Sequence, residues 1–85
     1  MNEEASVSDL RTELLAELSL YQQLPNAEDR VRIRKAAGIS QRRMAMALGV
    51  TEQTIANWEQ GKRPGVHHAK AYLELLEELE RVMAE

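Results

Sequence analysis

Residues 41–60 read QRRMAMALGVTEQTIANWEQ, and the glycine at position 49 interrupts a run whose spacing is otherwise helical. Each marked position in this twenty-residue unit has a mechanical reason. Two short helices that cross steeply through a tight turn need a small residue where they touch, which Ala45 supplies. The first residue of the turn needs a positive φ, which only glycine adopts cheaply, hence Gly49. Val50, Ile55 and Trp58 then fall on the inner face of the second helix, leaving Glu52, Gln53, Ala56 and Asn57 outward. The unit reads as a helix-turn-helix with one face free.

The rest of the chain is helical too. Phenylalanine is absent, β-branched residues are few, and apolar residues recur at 3, 4 and 7 rather than 2. Ser6 or Ser8 is expected to cap a first helix with the stripe Val7, Leu10, Leu14, Leu18 and Tyr21, ending before Pro25. Leu20 lies off that stripe and offers a second contact. Asn26, with Asp29 three places on, caps a second helix through Val31, Ile33 and Ala37 that stops at Gly38. Ser40 restarts the chain. Met44, Ala45 and Leu48 mark one short helix, and Ile55 and Trp58 another between Thr51 and Gly61. Lys62 to Gly65 form a loop, and a last helix runs from about His67 to Met83. Its stripe of Ala69, Tyr72, Leu73, Leu75, Leu76, Leu79, Val82 and Met83 is wider than one partner helix requires. The predicted organisation is an N-terminal amphipathic helix over residues 1–25 and a helix-turn-helix domain with a long C-terminal helix over 26–85.

A chain of 85 residues is one domain at most and disfavours an enzyme. It has no cysteine, an acidic N-terminus and no apolar run near the ~20 residues of a membrane span, so a cytoplasmic protein is expected. The formal net charge of −3 hides a sorting of charge along the sequence. Seven acids stand against Arg11 in residues 1–29, eight bases against Glu52 and Glu59 in 30–63, and two bases against five acids in 64–85. A basic block between acidic flanks marks a local anion-binding face.

The segments RKAAGISQ at 34–41 and IANWEQGK at 55–62, with Ala45, Gly49 and Pro64, resemble the lambda-type phage repressor and Cro family, also called the xenobiotic response element family. The resemblance covers about residues 30–76. It implies a five-helix DNA-binding domain, here with an additional N-terminal helix, whose second helix of the pair, residues 51–60, enters the major groove of double-stranded DNA. It further implies a transcriptional regulator, a repressor in the first instance, acting as a homodimer. Carried over by position, Gln41, Thr51, Glu52, Gln53 and Asn57 match DNA-contacting places, with Thr54 beside them. Gln53 and Asn57 have amides able to pair with adenine, and Arg42, Arg43, Lys62 and Arg63 can neutralise phosphates. Glu52 fits a phosphate-walled groove least well and is expected to exclude sequences. Arg34 and Glu59 match a partly buried ion pair of the family, so both are expected to be structural. Arg30 stands where the family commonly has an apolar residue, and residues 1–24 have no family counterpart. They are expected to add core or to form a self-association surface.

Other readings are plainer. Trp58 at an inward position is core rather than a base-stacking ring. His67 and His68 are adjacent, point in different directions, and have no carboxylate at metal spacing, so no metal and no cofactor is expected. Met44, Met46 and Met83 fill gaps or lie on the surface. Ser40, Thr51 and Thr54 suit capping, and no catalytic set accompanies them. Arg30 and Arg32, beside a helix-turn-helix, are expected to border DNA. The competing expectation is a protein-interaction module, such as an antitoxin or anti-repressor, that binds a partner through the leucines of its terminal helices.

Overall fold

The computed structural model describes residues 3–85, with side chains from Asp9 onward. The described residues form five helices and no strand: α1 (Glu3–Gln23), α2 (Ala27–Ala36), α3 (Gln41–Leu48), α4 (Glu52–Glu59) and α5 (Val66–Ala84). The count of five includes α1, so the region after Pro25 holds four. Neither glycine nor proline interrupts residues 66–84, and one unbroken helix therefore closes the fold. No helix among the described residues is long and apolar enough to cross a membrane.

The helix ends follow from their cap residues. The Asn26 side chain accepts a hydrogen bond from the Asp29 backbone N–H at 2.9 Å, and the Ser40 hydroxyl accepts from the Arg43 N–H at 3.1 Å. Both satisfy donors that a helix start leaves open. Pro25 cannot continue α1. At the other end of the chain's first helix the expected start moves. α1 begins at Glu3, so Ser6 and Ser8 lie within it rather than before it, consistent with the strong helix formers Glu3, Glu4 and Ala5. The side chain of Val7 lies outside the described residues.

Ile33, Met44, Ala45, Ile55, Trp58, Tyr72 and Leu76 make the core, one or two from each of α2 to α5. The wide stripe of α5 is explained by its neighbours, since it packs on α1, α2 and α3 at once. Ala69, Tyr72, Leu73 and Leu76 are buried, Leu75 and Leu79 pack partly, and Val82 and Met83 beyond them are exposed. Trp58 is a core residue, its ring 5.0 Å from that of Tyr72 and 5.8 Å from that of His68. Burial pushes the Tyr72 phenol up to about 12.

One expectation is narrowed here and one is corrected. The leucines of the α1 stripe do not pack within the chain: Leu10, Leu14 and Leu18, with Leu15 beside them, are 53–67 % exposed, while Tyr21 at the end of the stripe, Leu20 off it and Leu24 just after the helix are partly buried. Leu24 packs on the core. Within its own chain α1 thus packs through Leu20, off the stripe, and through Tyr21, the last residue of the stripe. Arg30 does not border an open surface either. It is 7 % exposed, and its guanidinium donates to the carbonyls of Pro25 at 3.2 Å and Trp58 at 2.8 Å while lying 5.8 Å from the Tyr72 ring centroid. Its long aliphatic stem lets it fill the apolar place of the family pattern and tie the start of α2 to the end of α4. Arg32 stays on the surface in a 3.4 Å pair with Asp29, which is worth little.

Candidate nucleic-acid interface

The joint between α3 and α4 is built by Gly49. It adopts φ +68°, its N–H turns back to Ala45 and Met46, and the Val50 N–H donates to the Ala45 carbonyl at 3.0 Å. This closes the open carbonyls of α3 in a left-handed cap. Thr51 then starts α4 at once: its hydroxyl oxygen accepts from the Thr54 N–H at 3.1 Å and lies 2.8 Å from the Thr54 hydroxyl. Ile55 and Trp58 are buried, which fixes the rotation of α4 about its axis. Glu52 and Gln53 are consequently exposed, and Thr54 and Asn57 partly so.

Gln53 and Asn57 are one turn apart, and the Gln53 amide donates to the Asn57 side-chain oxygen at 3.0 Å. The two amides form one joined polar surface in which Gln53 keeps one N–H and its oxygen free and Asn57 keeps both N–H groups free, its oxygen accepting from Gln53. Glu52 sits in the first turn of α4, where a negative charge is favoured by the helix dipole. That gives the residue a folding reason independent of any ligand. Arg42 and Arg43 are exposed in the first turn of α3, and Lys62 and Arg63 in the loop after α4, so cations flank the outward face of α4 on both sides along the chain.

Gln41 is held differently. Its amide donates to Glu59 at 2.9 Å, where it joins the pair between Arg34 and Glu59. Arg34 donates from Nε and, at 2.9 Å, from a terminal nitrogen, a two-point contact between side chains only 9 % and 5 % exposed. A further terminal N–H reaches the Ile39 carbonyl at 2.9 Å. Burial pushes the Glu59 carboxyl up, but the hydrogen bonds from Arg34 and Gln41 and the nearby positive charge outweigh it and leave the group below the ordinary glutamate range. The bond to Glu59 likewise raises Arg34 against the effect of burial. The result locks α2, α3 and α4 together beneath the outward face, as the structural reading of Arg34 and Glu59 required.

One contact beside these residues had no signal in the sequence. Tyr21 of α1 donates from its hydroxyl to the Pro64 carbonyl at 2.7 Å, and the Arg63 guanidinium lies 4.3 Å from its ring centroid. No local pattern links positions this far apart. Among the described residues no cluster of histidine and acidic side chains could hold a metal.

The family model HTH_3, described as helix-turn-helix, matches residues 32–80, more than half of the chain. No curated protein and no solved structure matches it.

Proposed function

The chain belongs to the lambda-repressor-like, Cro/C1-type helix-turn-helix family, and from that premise we propose a sequence-specific repressor that binds double-stranded DNA in the cytoplasm through α4. The observation that carries the proposal is the outward face of α4, with the joined amides of Gln53 and Asn57 held on a helix whose other face is core. Residues of this type read adenine in the major groove, while Arg42, Arg43, Lys62 and Arg63 contact phosphates. Thr51 and Thr54 lie at the helix start, where hydroxyls reach phosphate or base edges, and Gln41 would have to exchange its bond to Glu59 for one to DNA. Glu52 discriminates against sequences that leave its carboxylate unpaired. No enzymatic role is proposed.

A homodimer would place two copies of α4 in major grooves about 34 Å apart on a two-fold-related operator. The exposed leucines of α1 support self-association, because faces of this kind seldom stay uncovered. The same leucines favour a second reading, a module whose α1 is covered by a different protein.

Selecting bound fragments from a random duplex pool tests the first reading. A consensus should emerge, and affinity should fall steeply with salt. Gln53→Ala and Asn57→Ala should each cost ~1–3 kcal/mol and relax base preference while leaving the fold intact. Wild-type binding by both variants would refute this docking. Light scattering separates the two readings: a dimer that binds DNA alone supports the first, and a monomer that binds only with a co-expressed protein supports the second.

A further inference from the structure

We propose that Tyr21 is a positioning residue for Arg63, holding the loop after α4 so that the Arg63 guanidinium meets a DNA phosphate. The inference rests on the DNA-binding reading above and assigns part of that interface to α1, outside the matched residues 32–80.

The loop from Gly61 to Gly65 has few holds of its own. Backbone bonds from Gly61 to Trp58 and from Lys62 to Asn57, both 3.1 Å, fix its beginning, and Pro64 is buried. On one side it borders an open cleft of about 280 Å³ between the end of α1 and the start of α2. Tyr21 spans this weak place with two different interactions. Its hydroxyl fixes the backbone at Pro64, and its ring carries the side chain of Arg63.

The chemistry of that contact leaves Arg63 usable. A cation over an aromatic ring is held through the ring face, whereas the guanidinium N–H donors lie in its own plane and point outward. No carboxylate pairs with Arg63 among the described residues, so those donors are available to a phosphate. An exposed arginine on a flexible stem loses rotamer freedom when it binds, and a ring that already restricts it reduces that loss. Lys62, its neighbour, has no such support, so Arg63 should contribute more to binding than Lys62.

The test measures binding of a fluorescent duplex from the selected pool against salt concentration. The chains compared are wild type, Tyr21→Leu, Tyr21→Phe, Tyr21→Trp, Arg63→Gln and the Tyr21→Leu/Arg63→Gln double variant. Tyr21→Leu and Arg63→Gln should each weaken binding roughly tenfold and lower the salt slope by about 1, and the double variant should lose no more than either. Tyr21→Trp, which keeps a ring beneath the cation, should retain the wild-type slope, and Tyr21→Phe should retain the slope with a smaller loss of affinity. A folded Tyr21→Leu chain with the wild-type slope, or losses that multiply in the double variant, would overturn the proposal. If Tyr21→Leu does not fold, loss of the slope in Tyr21→Trp or Tyr21→Phe overturns it instead. Should wild type bind no duplex in a salt-dependent way, the DNA-binding reading fails and the proposal with it.

Discussion

Replacing Glu59 by leucine tests what joins the helices beneath the outward face. In the native chain Arg34 and Glu59 make a two-point contact at 9 % and 5 % side-chain exposure, with Gln41 donating to the same carboxylate. Glu59→Leu leaves the guanidinium buried with one bond to the Ile39 carbonyl and removes the acceptor of Gln41. Breaking a buried pair from one side costs about 3–5 kcal/mol, most of it the unpaired charge. A domain of this length has a total stability of roughly 4–13 kcal/mol, so the variant should be close to unfolding at ambient temperature or melt at least about 12 °C lower. Arg34→Met combined with Glu59→Leu removes both charges and should recover to within about 1 kcal/mol of wild type, because the desolvation penalty disappears with the pair. Urea denaturation followed by far-UV circular dichroism and by the fluorescence of Trp58, the single tryptophan, measures all four corners of the cycle. A Glu59→Leu loss below ~1 kcal/mol, or a double variant that loses the sum of the singles, would refute the reasoning.

The same pair sets the acid limb of stability. Glu59 has a lower pKa folded than its ordinary 4.5, so its contribution is complete above that value and is lost as pH falls through the folded one; in Glu59→Gln this limb should flatten in pH-dependent melts. Tyr72 acts at the other extreme. Its folded value of about 12 lies above the ordinary 10.0, so stability should decline as pH rises from 10 towards 12, and Tyr72→Phe should abolish that decline at a cost below ~1 kcal/mol near neutrality, since the hydroxyl has no partner among the described residues. Gly49→Ala meets no atom within 4 Å but must hold φ +68°, so it should cost ~1–2 kcal/mol of stability by denaturation, a purely conformational penalty. If the α1 leucines join two copies of the chain, Leu14→Glu, at a residue 65 % exposed, should leave the melting temperature of the monomer unchanged while lowering the mass seen by light scattering; a dimer unaltered by this change would count against an interface through Leu14.

Local chemistry was the readable part of the sequence. Asn26, Ser40, Thr51 and Gly49 act at helix ends within a few residues of themselves, and each stands where its side chain or its missing Cβ is needed. The buried faces of α4 and of α5 up to Leu79 were readable from apolar spacing because both stripes are covered by neighbouring helices. The face of α1 was not. Periodicity identifies an apolar stripe but not whether a neighbour exists to cover it, and the covered residues are Leu20 and Tyr21 near the end of α1 and Leu24 just beyond it. Arg30 escaped for a different reason: a run of alternating arginines beside a helix-turn-helix reads as a border to DNA, yet two backbone carbonyls at the end of α4 and before α2 were placed to accept from one of them. The contact of Tyr21 with Pro64 and Arg63 depends on how α1 returns beside α5, which no local rule supplies. Among the proposed DNA-contacting residues, exposure was anticipated for Gln53 and Asn57, while their bond to each other and the engagement of Gln41 with Glu59 are tertiary facts.

The separation of duties within α4 has a consequence for how such a protein changes over generations. Thr51, Ile55, Trp58 and Glu59 secure the helix, whereas Glu52 and Gln53 touch no part of the core. Mutations at the second pair therefore cost folding little, at most the helix-dipole contribution of Glu52, and the supply of viable variants there is large. A lineage, or a library randomised at those two positions with Asn57, can explore new partners without first acquiring compensating stability.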